Sequence, residues 1–262
     1  MTYIDLVLVY FCEKYKDEPQ IKIESIGFYI HLKYKRLYLQ NRYNYMNTNY
    51  DQSLKEHFQF NTHQEMLPYI GSNFDDKRIL ILSESHFVPS KEQGQPSDDW
   101  YEKTFDITQM KNNTNTRAVI AEVLKNKGHI MFTNLLDGLQ KSNSKCNLND
   151  IAWYNFFQKP ASKGISIKPT IKDNEIALEV FEKILDTIKP SLVIFVSVLS
   201  FKTLHKYRTW NKDLNGHKYK EYNIPLAIIP HPTSVWWNKP SKTHQNRTGK
   251  QKFIDVINNH IA

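Results

Sequence analysis

From Leu67 onward, apolar and polar positions fall into blocks that switch between strand-like runs and helical spacing. Arg78 to Leu82 is a short apolar run, long enough for one buried strand and too short for a helix. It stops in the polar cluster Ser83-Glu84-Ser85-His86-Phe87. A polar loop with Gly and Pro follows, from Val88 to about Ser97. Thr116 to Lys127 carries Ala118, Val119, Ala121, Val123 and Leu124, which predicts a helix that Gly128 ends. His129 to Leu136 reads equally as a strand or as the start of another helix. Ile151 to Phe157 is apolar except for Asn155 and reads as a strand. Asn174 to Lys189 spaces Ala177, Val180, Phe181, Ile184 and Ile188 as a helix does, and Pro190 ends it. Ser191 to Val198 predicts a buried strand, Phe201 to Tyr207 a short helix, and Pro225 to Pro230 the last strand. Lys250 to Ile261 closes the chain with a helix whose apolar face is Phe253, Ile254, Ile257 and Ile261. Strands alternating with helices predict a parallel sheet covered on both faces.

The first part of the chain reads differently. Ile21 to Gln40 alternates loosely, with Ile23, Ile26, Phe28, Ile30 and Leu32 set among Lys and Arg, and predicts an antiparallel hairpin. Asn41 to Asn49 reads as loop, and Met1 to Lys16 as a strand or a short helix. Residues 1–65 are therefore expected to form an appendage of unassigned role, and residues 66–262 the α/β domain.

Composition narrows the function classes. No apolar run approaches the length of a bilayer span, and the Leu6 to Phe11 run lacks the flanks of a signal peptide. Cys12 and Cys146 are far apart and have no CxxC partner, which excludes a cysteine-held cluster and argues against a disulfide framework. A cytoplasmic monomer is the simplest expectation. The net charge of +8 over 262 residues suits a polyanionic partner, since phosphates reward clustered Lys and Arg.

Four features stand in order. They are Ser83-Glu84-Ser85-His86-Phe87 after a strand, Asn155 inside Trp153-Tyr154-Asn155-Phe156-Phe157, the Val193 to Val198 strand with a helix after it, and His231-Pro232-Thr233-Ser234 after the last strand. Over roughly residues 67–262 this order resembles the uracil-DNA glycosylase superfamily. That family has a water-activating motif after its first strand, a base-reading asparagine on the next, and a His-Pro-Ser motif after the last. The chain departs from the pattern at its first motif. Ser83 stands where the family usually has Gly, and Ser85-His86 where it has Asp-Pro or Asn-Pro, so the resemblance is to a divergent branch carrying Glu-Ser-His-aromatic. It implies a three-layer α/β/α fold with a central parallel sheet of about four strands, a DNA partner, no cofactor and no metal.

The chemistry agrees with that order. Cleaving an N-glycosidic bond passes through a cationic sugar and an anionic leaving base. Glu84 is the candidate anion that orients water, and His231 the candidate donor to the leaving base. Asn155 offers donor and acceptor on one amide to read the base edge. Ser85, His86 and Phe87 are further candidates for base contact, with Phe87 supplying a stacking face. Thr233, Ser234, Val235, Trp236, Trp237 and Lys239 are candidates for DNA contact, the apolar ones as a wedge beside an emptied stack, and Lys242 and Arg247 lie just beyond for phosphates. The competing expectations are that Glu84 and His86 end a strand at the surface, that Asn155 is a satisfied core amide, that His231 only makes a turn, and that Trp236 and Trp237 pack the last helix. Metal binding has little support, because no HxxxH or Cys/His cluster accompanies Glu84 and His86. A serine hydrolase lacks its G-x-S-x-G elbow. The expected function is base excision from DNA on uracil or a modified pyrimidine, as in DNA repair. The alternatives are a glycosylase for a bulky modified base in phage DNA, acting in anti-phage defence, and a nucleic-acid-binding protein on the same fold without catalysis.

Overall fold

The computed structural model describes residues 45–88, 95–102, 115–125, 128–162, 164–208, 210–213, 216–219 and 222–261. The hairpin expected over residues 21–40 lies outside them. The chain divides into two compact units, Met1–Tyr45 and Met46–Ala262. The second unit starts earlier than the boundary expected near residue 66, because two short helices, α1 (Asp51–Leu54) and α2 (Phe58–Thr62), already serve the core. Leu54 and Phe60 are fully buried in it. Asp51 is held by both guanidinium nitrogens of Arg117, at 2.7 and 2.6 Å, and Arg117 Nε also donates to the Pro68 carbonyl at 3.0 Å.

The rest is an α/β arrangement. In chain order it runs β1 (Tyr69–Ile70), α3 (Phe74–Lys77), β2 (Ile79–Ser83), α4 (Thr116–Leu124), α5 (Ile130–Lys141), β3 (Ile151–Asn155), α6 (Ile171–Ile188), β4 (Leu192–Phe195) and α7 (Val198–Tyr207). Then follow β5 (Trp210–Asp213), β6 (Gly216–Tyr219), β7 (Ile224–Ile228), α8 (Val235–Asn238) and α9 (Gly249–Ile261). The sheet order is β1-β3-β2-β4-β7-β6-β5. The four strands read from the sequence, β2, β3, β4 and β7, pair in parallel at its centre. The sheet as a whole is mixed: β1, β6 and β5 add antiparallel edges.

Strand parity builds a core on each face. Leu80, Leu82, Ala152, Tyr154, Val193 and Phe195 join one apolar cluster with α6 and α7. Ile79, Ile81, Ile151, Trp153, Leu192 and Ile194 join a second with α4, α5 and α9. The first is rich in aromatic contacts, with Phe195 5.6 Å from Phe201 and 6.0 Å from Phe181.

Several element ends have local causes. Helix α6 begins at Ile171, ahead of the apolar spacing, because Thr170 and Asp173 form a capping box. It ends at Lys189 in the left-handed region, at φ 45°, just before Pro190. The ambiguous His129 to Leu136 stretch resolves as helix α5. Strand β4 stops at Phe195 because Ser197 turns the chain, its hydroxyl capping the Ser200 N–H at 3.2 Å.

Candidate functional site

Four parallel strands that leave the sheet at one edge bring their carboxyl ends together, and there the polar motifs meet. Ser83 at the end of β2 stands beside Asn155 at the end of β3. Beyond the strands the two segments stay paired. The Phe157 N–H donates to the Glu84 carbonyl at 2.8 Å, Ala161 N–H to the His86 carbonyl at 2.8 Å, and Val88 N–H to the Ala161 carbonyl at 2.8 Å. This extension aims the side chains of residues 84–88.

A cavity of about 520 Å³ opens at this edge on the side of β2 and β3 that carries Ile81 and Trp153. Its floor is polar and buried: Ser83, Ser85, His86, Asn155 and Thr116 are each more than nine-tenths covered. Its walls are apolar, from Val119 and Val123 on α4, Met131 and Phe132 on α5, and Trp153 on β3. Phe132 meets Trp153 edge-on at 5.0 Å, which fixes that wall. The rim is exposed and holds Phe87, Glu122, Gly128, His129 and Thr233.

The floor is wired in one direction. Asn155 Nδ2 donates to His86 Nε2 at 2.9 Å. The Thr116 hydroxyl lies 3.0 Å from the same nitrogen. An amide NH₂ is only a donor, so Nε2 is the accepting nitrogen of His86. The Ser85 hydroxyl is buried against the cavity without a hydrogen-bond partner among the described residues.

His231 enters from the turn after β7. The Thr233 N–H donates to His231 Nδ1 at 3.2 Å, and the Thr233 hydroxyl lies 2.8 Å from it. Nδ1 therefore accepts, and the ring proton sits on Nε2. Asn134 of α5 anchors the turn by donating to the Pro232 carbonyl at 2.7 Å. Burial, and next the nearby charge of His129, lower the pKa of His231 below the usual imidazole value. A neutral imidazole with an Nε2–H donor results.

The structure thus brings Ser85, His86, Phe87, Asn155, His231 and Thr233 to one cavity and leaves others apart. Glu84 is not among the lining residues. Its carboxylate accepts from the Ile167 N–H and from the Ser197 hydroxyl, both at 3.3 Å, on the other side of the sheet edge. Trp237, expected to touch DNA, is fully buried. Its ring lies 5.7 Å from Phe253, and a Cβ on Gly138 would come within 3.7 Å of it, so it packs α9 as the competing expectation had it. Val235 and Trp236 are about half exposed, and Lys239 is exposed. Ser234 precedes α8 with a buried hydroxyl that has no partner among the described residues. Arg247 is engaged by Asp255 at 2.6 Å.

Sequence reasoning gave no role to Thr116, Glu122, His129 or Trp153. Thr116, Val119 and Val123 repeat at helical spacing, so one face of α4 lines the cavity; that periodicity was the available signal. Among the described residues no three His, Cys, Asp or Glu side chains converge as metal ligands would, and no helix is long and apolar enough to cross a membrane. Comparison of the sequence with models of known protein families and with curated proteins gives no match.

Proposed function

We propose that the chain is a DNA N-glycosylase of the uracil-DNA glycosylase type, which takes an extruded pyrimidine-like base into the cavity and hydrolyses its bond to the sugar. The observation that carries this reading is the cavity itself. It has a buried polar floor, apolar walls and an exposed rim, and its residues come from the ends of three parallel strands and two helices. A base entering through the rim meets Asn155 at the floor and has Trp153 and Phe87 for its faces. The C1′–N bond breaks and its electron pair leaves with the base. The Nε2–H of His231 donates to the oxygen on which that charge gathers. Water adds at the anomeric carbon, and its proton passes to solvent or to the departing base.

The sugar stays at the rim, so the anion beside it has to stand there too. Glu122 is the one carboxylate among the described lining residues and is exposed at the rim. The role first expected of Glu84 passes to Glu122 in this reading, because the Glu84 carboxylate is committed to Ser197 and Ile167. The same displacement of Glu84 favours a second reading, a base-binding protein on this fold that does not cut.

The test uses oligonucleotides carrying uracil, hydroxymethylcytosine or glucosylated hydroxymethylcytosine, incubated with the full chain and then treated with alkali to break abasic sites. Cleavage of one of them supports the glycosylase. On that substrate Glu122→Gln should slow a single turnover by roughly a hundredfold, and Glu84→Gln much less. Binding without cleavage of any base supports the second reading.

A further inference from the structure

We infer that His86 is a positioning residue that fixes the direction in which Asn155 presents its amide, and so sets the order of donor and acceptor that the cavity accepts. This rests on the base-binding reading of the cavity. The amide of Asn155 has two ends, an oxygen that only accepts and an NH₂ that only donates. Turning it by half a rotation exchanges them at little cost unless a neighbour objects. Here the neighbour is His86 Nε2, which takes an amide N–H at 2.9 Å. Both side chains are more than nine-tenths buried, so the bond between them is shielded and costly to lose. With the ring proton on Nδ1, the turned amide would put Oδ1 against a nitrogen lone pair.

Thr116 stands against the same edge of the ring. Its hydroxyl, 3.0 Å from the same nitrogen, is held at the first position of α4, whose N-cap Asn115 accepts the Ala118 N–H at 2.9 Å. The amide is thus left with Oδ1 and its second N–H for a ligand, in one fixed order.

Uracil and cytosine differ in this respect. Uracil offers an acceptor at position 4 and a donor at position 3, and cytosine offers the reverse. A locked amide in a walled cavity accepts one of these orders, whereas a free amide turns to accept either. The lock therefore acts on discrimination more than on affinity.

Two measurements test this on the full chain. Long-range proton–nitrogen spectra of the histidine rings report whether His86 Nε2 carries a proton, and the inference requires that it does not. A protonated Nε2 in the free protein at neutral pH overturns it. Binding is then measured to single-stranded oligonucleotides carrying one 2′-fluorinated deoxyuridine or one 2′-fluorinated deoxycytidine, which resist loss of the base. The wild type should favour one over the other by about tenfold or more, the scale of one good bidentate contact. His86→Phe should bring that ratio to about twofold or less, and Thr116→Val, which keeps the imidazole, should reduce it partway. A ratio unchanged in both variants overturns the lock. If the wild type binds neither oligonucleotide, the base-binding reading fails, and the nitrogen spectrum still decides whether the amide is locked.

Discussion

Glu84 and Ser85 are neighbours in the chain, yet they serve opposite sides of the sheet edge. On the Ser85 side, Ser83, Ser85, His86 and Asn155 surround open space, and the Ser85 hydroxyl is left without a partner among the described residues. On the Glu84 side, the charged groups are answered. Glu84 takes two donors. Behind it Lys159, 1% exposed, bridges Asp173 at 2.9 Å and Asp98 at 2.5 Å. Tyr101 donates to the same Asp173 at 2.6 Å. Among the described residues, buried polar atoms without a partner occur on both sides, Gln158 Oε1 and Asn174 Oδ1 among them, so what sets the Ser85 side apart is the open space beside its polar floor. The comparison locates the site better than the acid–base reputation of any one residue.

The largest way to break the comparison is to damage the satisfied side. Lys159→Ala leaves Asp173, fully buried, without its cation. It should cost about 3–5 kcal/mol of stability, read from denaturant unfolding. A loss below 1 kcal/mol would mean that the cluster is not the internal support described here.

The tryptophan pair repeats the contrast on one short helix. Trp237→Ala should cost about 3–5 kcal/mol by opening a cavity against Phe253. Trp236→Ala should change stability by no more than about 0.5 kcal/mol, as at most exposed positions. It should weaken binding to duplex DNA more than to single strands, because only the duplex has a stack to hold open. Equal weakening on both substrates would remove the wedge.

The smallest effect is on pH and sharpens the cavity side. The folded pKa of His231 is lowered, first by burial and then by His129, so the unfolded chain takes up the proton more readily than the folded one. Stability linked to His231 is therefore complete above the ordinary value of 6.5 and is lost as pH falls through the lower folded value. Unfolding curves at stepped pH should show a shallower acid loss in His231→Gln than in wild type. Identical slopes would mean that the ring is solvated in the folded protein.

Much of the frame was legible because burial on both faces leaves long apolar marks. The runs around Ile81, Trp153, Ile194 and Leu226 gave the four parallel strands, and the spacing of Val180, Phe181 and Ile184 gave the long helix. Strand β1, with two residues, and the β5–β6 hairpin carry too little apolar pattern to be read. The site was half legible. Asn155, His86 and His231 carry their chemistry in their names and stand at strand ends. The placement of Glu84 required parity: with Ser83 beside Asn155, a residue one step on faces away. The chain then leaves regular strand geometry after Ser83, so the orientation of His86 could not be counted forward from β2. Thr116 and Glu122 come from a helix far along the chain, and only the fold brings them near.

The segment after β2 is held by main-chain hydrogen bonds to residues 157–161 as well as by the side chains of Glu84 and His86. Part of the frame is consequently independent of the chemistry there. The peptide hydrogen bonds that aim positions 85–87 do not themselves depend on which side chains stand there. A lineage can then try new contacts at the cavity floor without first rebuilding the fold, and a laboratory library restricted to Ser85, His86, Phe87 and Asn155 would explore ligand preference on a backbone that stays in place.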